Sequence, residues 1–186
     1  MKKFILIIII LFISEITFSQ ERTINIEDSF IKWTGKELTT KSHFGKLLLS
    51  EGNIKIDEDN VSGEVIVNME SLLVEDLQGE WGKKLEGHLK SPDFFSVVKF
   101  KESSLKTVSS IKISDNNFKV DGILTIKDIS HPITFDLSIN ENILSANLVF
   151  DRSKYDVRFR SGSFFENLGD KLILDDIELE VILQLN

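Results

Sequence analysis

The stretch LEGHLKSPDFFSVVKF, residues 85–100, interrupts a chain that otherwise has the pattern of short β-strands. Trp81, Leu85 and Leu89 are spaced four residues apart and form one apolar stripe of a short helix. Pro92 ends this helix, because the residue before a proline is pushed out of the α region. In an all-β protein, a helical insert of this kind is expected to cover an open end of a sheet or barrel.

The segment after the proline carries a pair of adjacent aromatic residues, Phe94 and Phe95. We expect both rings to turn inward near the opening of a barrel, while the leucines of the helix pack beneath it. Val98 and Phe100 then resume a two-residue period, which predicts a return to strand.

Apolar and polar residues alternate along most of the remaining chain, as they do in strands that bury one face. Turn signals recur about every ten residues, a spacing typical of a β-sandwich or barrel. No linker rich in Pro, Gly or Ser divides the chain, which favours one domain. We count roughly eight strands, clearest at residues 29–34, 47–57, 61–69, 118–126, 133–139, 144–150 and 177–185, with weaker signals at 98–100 and 111–113.

The N-terminus has the pattern of an export signal. Lys2 and Lys3 precede an apolar run, residues 4–13, which is too short to span a bilayer. Small residues stand at positions −3 and −1 of a cut before Gln20. The pattern predicts a cleaved signal peptide at residues 1–19, and the alternative is a buried N-terminal strand.

The predicted mature domain, residues 20–186, is acidic. Subtracting Lys2, Lys3 and Glu15 from 22 basic and 30 acidic residues leaves 20 and 29, a net charge of −9. Nucleic acids and anionic lipid head groups both require a basic patch, so neither is an expected partner. The chain has no cysteine, which excludes disulfides and thiolate chemistry. Export without disulfides indicates a periplasmic or secreted protein.

Four motifs, in order along the chain, resemble one known family. They are HFG at residues 43–45, LEGHLKSPDFF at 85–95, VDGILTIKDISHPITF at 120–135 and FDRSKYDV at 150–157. Together they look like the YceI-like family of periplasmic, lipocalin-like polyisoprenoid-binding proteins, over about residues 24–185. Each motif alone is weak, whereas the ordered set is fairly specific.

The resemblance implies an all-β fold, an extended antiparallel eight-stranded lipocalin-like barrel with a short helical insert. Its lumen would hold a long isoprenoid or acyl chain. Two departures from the family pattern occur: Asp128 replaces the glycine usual in the hairpin turn, and residues 47–51 replace an Arg-Gly pair. Both touch the rim of the barrel, so they leave the identity of the ligand head group open.

Aromatic residues supply the candidates for lining the lumen, because the chain has fourteen Phe, two Trp and one Tyr. Each buried CH₂ of a lipid contributes about 0.8 kcal/mol, so a long apolar contact needs no special polar residue. Gly63 and Gly122 fall on the inward parity, where missing side chains are expected to leave space. The candidate ligand-binding residues are Trp33, Phe44, Val65, Phe95, Phe100, Leu124, Phe135 and Phe150.

The three histidines, His43, His88 and His131, have none of the spacings typical of metal sites, so no metal or cofactor is expected. His88 lies near Ser91 and Asp93, which leaves a Ser-His-Asp hydrolase as an alternative. The G-x-S-x-G motif of many such enzymes is absent. We therefore expect structural, hydrogen-bonded histidines and no enzymatic activity.

Arg152, Arg158 and Arg160 cluster near the Tyr155 turn. Arginine suits an acidic or phosphorylated head group, and the alternative is that the three pair with nearby aspartates.

The sequence thus favours an exported binding protein that holds a long-chain isoprenoid or acyl lipid for transport or storage. Neither nucleic acid nor stable membrane insertion is expected, and the oligomeric state, a homodimer included, is left open. Two alternatives remain: a hydrolase around His88, and a structural or interaction domain with a filled core.

Overall fold

The computed structural model describes residues 20–39 and 41–186, so the predicted signal peptide lies outside the described residues. Eight strands and one α-helix follow one another along this part of the chain. Two short 3₁₀ turns, Arg152–Tyr155 and Gly169–Lys171, lie in the long connection before the last strand. The elements are β1 Gln20–Glu37, β2 Ser42–Ile56, β3 Val61–Val74, α1 Gly79–Lys90, β4 Glu102–Ser114, β5 Asn117–Ile126, β6 Ile129–Asn140, β7 Ile143–Asp151 and β8 Ile173–Leu185.

The eight strands form one closed antiparallel barrel in which each strand pairs with its neighbours in sequence. Closure comes from β8 returning to β1, with Ile24 opposite Leu185 and Trp33 opposite Leu179. Such closure removes unpaired edges and places one face of every strand around a common axis. The all-β, eight-stranded antiparallel barrel with a short helical insert is therefore confirmed.

Alternation along the strands decides which side chains point into the barrel. In β5, Phe118, Val120, Gly122 and Leu124 are buried, and the alternate residues Lys119, Asp121 and Ile123 face outward. The turn that joins β5 to β6 consists of Lys127 and Asp128, with φ angles of 53° and 61°. Two positive φ angles define a tight hairpin whose twist matches that of its strands, and Asp tolerates this conformation. The departure at Asp128 therefore leaves the hairpin intact.

Helix α1 lies across one end of the barrel, which we call the helix end. The helix stops at Ser91, whose backbone is extended (φ −71°, ψ 167°) and whose Oγ donates a 2.7 Å hydrogen bond to the His88 carbonyl. Leu89 is buried and Leu85 is half-buried against the core, whereas Trp81 is 72% exposed. Two of the three residues in the predicted stripe therefore pack inward.

In residues 20–39 and 41–186, no helix has the length and apolarity to cross a membrane.

The strand predicted at Val98 and Phe100 is wrong. Ser96 adopts a positive φ of 52°, and the Phe100 amide donates a 3.0 Å hydrogen bond to the Ser96 carbonyl. The segment therefore forms a turn in place of the predicted strand, and Val98 is 90% exposed. The extended chain resumes only with β4, which is longer than its weak sequence signal predicted.

The opposite end, which we call the hairpin end, is closed by the turns that join β2 to β3, β4 to β5 and β6 to β7. Its interior is lined by buried apolar side chains, among them Phe118, Leu144 and Leu183, all at most 5% exposed.

Candidate ligand-binding site

The barrel axis contains an apolar cavity of about 130 Å³, which we call the lumen. Its walls are the inward faces of the strands together with Phe95, which lies between helix α1 and β4. Six of the eight candidate residues line it, and their contact with a ligand stays a prediction. These six are Trp33, Val65, Phe95, Leu124, Phe135 and Phe150.

Phe44 and Phe100 do not line the lumen. Phe44 shares its parity on β2 with Lys46 and is 36% exposed, and Lys32 Nζ lies 5.1 Å from its ring centroid on the outer surface. Phe100 lies in the turn before β4, beneath Lys99, whose Nζ is 4.6 Å from the ring centroid. The parity of β2 was a signal that could have placed Phe44 outside.

Much of the lumen wall is aliphatic, and apart from Val65 and Leu124 its aliphatic residues were not among the predicted candidates. These residues share the inward parity of their strands, so the alternation that predicted the strands was sufficient to find them. They include Ile31, Leu47, Leu144, Leu148, Ile177 and Leu183.

The two inward glycines permit close strand contact, and of the two only Gly63 lines the lumen. A Cβ on Gly63 would lie 2.4 Å from the carbonyl oxygen of Asn53, which is too close for any side chain. A Cβ on Gly122 would lie 3.0 Å from the carbonyl oxygen of Lys106. Ala146, another small residue, also lines the lumen.

A second cavity of about 350 Å³ lies between helix α1 and the barrel, and we call it the helix-end cavity. Trp33 and Ile177 line both cavities, so the two adjoin. Most of the remaining wall is apolar, including Leu85, Leu89, Phe94 and Phe159. Phe94 is 4% exposed and faces this cavity, while Phe95 faces the lumen. Both rings thus turn inward near the barrel opening, as predicted.

Two histidines line the helix-end cavity and differ in their partners. His43 Nδ1 lies 2.7 Å from Asp76 Oδ2, and the other oxygen of that carboxylate accepts a 3.0 Å hydrogen bond from the Phe44 amide. His88 packs edge-on against Phe159 and Phe94, with ring centroids 4.3 and 5.9 Å apart. Its Nε2 is buried and has no hydrogen-bond partner.

The hydrolase alternative lacks a paired nucleophile and base. The Ser91 hydroxyl donates to the His88 backbone carbonyl and accepts a 3.3 Å hydrogen bond from the Asp93 amide. It therefore caps the C-terminus of helix α1 and is not paired with the imidazole. Within the described part of the chain, no group of three or more His, Cys, Asp or Glu side chains could hold a metal ion.

Arg152 is fully buried and structural, which corrects its place in the candidate head-group cluster. Its guanidinium donates to three backbone carbonyls, those of Val157, Ile173 and Leu174, at 3.1 to 3.2 Å. Nη2 also lies 3.1 Å from Asp175 Oδ1. Desolvation lowers the pKa of Arg152 from its usual value, and the Asp175 carboxylate opposes this shift.

The other two arginines of the cluster are exposed. Arg158 forms an ion pair with Asp156, whereas Arg160 lies over the ring of Phe159 at the rim of the helix-end cavity.

Tyr155 packs at the helix end against Leu124 and Phe150, two residues of the lumen wall. Its hydroxyl donates a 3.4 Å hydrogen bond to the Leu124 carbonyl, and its ring meets Phe150 edge-on at 5.6 Å. Burial raises the pKa of Tyr155 to about 12, with a further contribution from the Asp151 carboxylate.

Comparison with known proteins gives a family match over most of the chain. The sequence model described as the YceI-like domain matches residues 23–185. No match was found among curated protein sequences.

Several solved structures share the fold. BcnA of Burkholderia cenocepacia is 16% identical with a TM-score of 0.66, over 86% of this chain and 98% of that chain. A polyisoprenoid binding domain from Saccharophagus degradans, implicated in plant cell wall breakdown, is 8% identical with a TM-score of 0.57, over 89% and 97%. The YCEI protein of Campylobacter jejuni is 16% identical with a TM-score of 0.52, over 100% and 99%.

Proposed function

The chain belongs to the YceI-like family, and we propose that it is a binding protein that holds a long-chain isoprenoid or other amphiphilic lipid. The observation that carries the proposal is the pair of adjoining apolar cavities along the barrel axis. The fold shared with a polyisoprenoid binding domain supports the same ligand class. Transport or storage requires only reversible binding, and the site offers apolar surface for it.

The size of the lumen indicates how a long chain would be held. An apolar cavity of about 150 Å³ accommodates one benzene molecule, and the lumen alone is about 130 Å³. The helix-end cavity, at about 350 Å³, reaches the lower range of ligand pockets, roughly 300–1,000 Å³. A long lipid would therefore occupy both cavities and move inward side chains apart in the lumen.

Export forms part of the proposal and rests on the N-terminal sequence pattern. Cleavage before Gln20 would deliver the barrel to the periplasm or the medium. N-terminal sequencing of the protein from its native host tests this step. A mature chain that begins near Gln20 supports export, whereas an intact Met1 in cytoplasmic protein contradicts it.

The lipid-binding proposal is tested by filling the lumen. Ala146 lines the cavity and is 6% exposed, so Ala146→Phe places a ring on the ligand path. We expect at least ~10-fold weaker binding of a long-chain prenol, with overpacking costing about 1–3 kcal/mol of folding free energy. Asn147→Phe is the matched control, because this neighbour is exposed on the same strand.

Binding is measured by native mass spectrometry and by organic extraction of purified protein, and folding by thermal melting. A folded Ala146→Phe variant that binds the prenol as tightly as the parent contradicts the proposal. A parent protein that yields no extracted lipid and binds no hydrophobic ligand favours the alternative of a structural domain with a filled core.

A further inference from the structure

His88 presents an unusual buried atom within the part of the chain that the structure describes. Its Nε2 is inaccessible to solvent and has no hydrogen-bond partner. Leaving a buried polar atom unpaired costs about 1–3 kcal/mol, and native structures contain few such atoms. The His88 side chain lines the helix-end cavity, so a ligand that displaces the rings of Phe94 and Phe159 is a candidate partner for this nitrogen.

The surroundings of His88 do not offer it an internal partner. The ring packs against the edges of Phe159 and Phe94, and leucines of α1 line the same cavity. The other two histidines are already paired: His43 with Asp76, and His131 with the Lys154 carbonyl at 3.0 Å from Nε2. Among the three histidines, His88 alone therefore has a buried ring nitrogen without a partner.

We propose that His88 Nε2 forms a hydrogen bond with an uncharged hydroxyl head group of the bound lipid. The inference rests on the proposed function and deepens it by naming the ligand class, a long-chain alcohol. A hydroxyl both donates and accepts, so it satisfies Nε2 in either neutral tautomer of the imidazole. A hydrocarbon satisfies it in neither.

The position of the nearby cations explains why the head group is uncharged. Lys84 and Arg160 are exposed and lie over the rings of Trp81 and Phe159, at 5.6 and 5.1 Å from their centroids. A phosphate would meet them at the rim, in contact with water. Reaching Nε2 would instead require burying the phosphate charge among apolar side chains, which is far more costly than burying one hydroxyl.

The test compares three ligands that share one chain: farnesol, farnesene and farnesyl phosphate. The parent protein is expected to bind farnesol about 10-fold more tightly than farnesene, the ratio that one net hydrogen bond of about 1.4 kcal/mol provides. In His88→Phe, farnesol affinity should fall to that of farnesene. His88→Gln keeps a polar group at this position and should retain part of the preference.

His131→Phe is the matched control, because it makes the same substitution at a histidine that already has a partner and that lines neither cavity. Its ratio of farnesol to farnesene affinity should equal that of the parent. An independent measurement needs no variant: with three histidines in the chain, the ¹⁵N resonance of His88 Nε2 should shift with farnesol and stay unchanged with farnesene.

The outcomes separate the inference from the proposed function. Equal affinities for farnesol and farnesene in the parent overturn the role of His88 and leave the lipid-binding proposal standing. Failure of both ligands to bind overturns both. Preferred binding of farnesyl phosphate that is lost in Arg160→Ala and kept in His88→Phe places a charged head group at the rim, and it also overturns the inference.

Discussion

The two ends of the barrel differ in the chemistry of what fills them. The helix end holds a fully buried guanidinium, a buried phenol and an unpaired imidazole nitrogen, from Arg152, Tyr155 and His88. The hairpin end is packed with aliphatic and aromatic side chains such as Leu144 and Phe118. Apolar packing stabilises without selecting a ligand, whereas oriented polar groups do both. Recognition of a head group is therefore expected only at the helix end.

The largest expected effect comes from breaking the buried ion pair of the helix end. Arg152→Ala removes the partner of Asp175 and leaves three backbone carbonyls without their donor. Removing one member of a buried pair should lower the free energy of unfolding by about 3–5 kcal/mol, as measured by urea denaturation. Arg158→Ala is the control, because its exposed ion pair contributes about 0–1 kcal/mol. Equal losses in the two variants would contradict a structural role for Arg152.

Truncation at the hairpin end should affect stability without affecting selectivity. Leu144 is 0% exposed, and Leu144→Ala should lower the free energy of unfolding by about 2–5 kcal/mol through loss of contacts and a larger cavity. The ratio of farnesol to farnesene affinity should not change. Val149→Ala, at a position of the same strand that is 56% exposed, serves as the control. A changed ratio in Leu144→Ala would show that the division between the two ends is wrong.

The smallest effect is a pH dependence that arises from Tyr155. Its pKa of about 12 lies above the usual value of about 10, so the folded protein retains this proton where the unfolded chain loses it. The resulting stability, on the order of 1–2 kcal/mol, is complete below pH ~10 and is lost as the pH rises through ~12. Tyr155→Phe should remove this part of the alkaline loss.

Tyr155 is the single tyrosine of the chain, so the ultraviolet absorbance of its phenolate reports the titration directly. We expect a midpoint near pH 12 in the folded protein. A midpoint near pH ~10, the value of an exposed phenol, would contradict the burial of this side chain.

The barrel could be predicted from the sequence because the two-residue alternation is local. In residues 118–126, the order of apolar and polar residues alone shows which side chains are buried and which are exposed. The same holds for the strands that follow. The helix that ends before Pro92 was predictable for the same reason, since a proline restricts its immediate neighbour. These signals required no knowledge of distant parts of the chain.

Features that depend on distant residues were not predictable in this way. Arg152 is buried because carbonyls of residues 173 and 174 converge on it, and these lie 21 and 22 residues further along the chain. Phe100 stays outside because of a turn that begins at Ser96, where a serine with positive φ has no distinctive sequence signal. The missing partner of His88 is likewise a property of the assembled cavity.

Closure of the barrel by β1 and β8 has a consequence for how the chain folds. Ile24 must pair with Leu185, near the other end of the sequence. The entropic cost of bringing such distant segments together arises before their contacts stabilise the fold. Proteins dominated by non-local strand pairing fold in about milliseconds to seconds, far more slowly than helical bundles. Until β8 arrives, β1 and β7 each present an unpaired edge that attracts other strands. A chain truncated before residue 173 should therefore aggregate, and export as proposed above would allow the barrel to close only after the last strand has crossed the membrane.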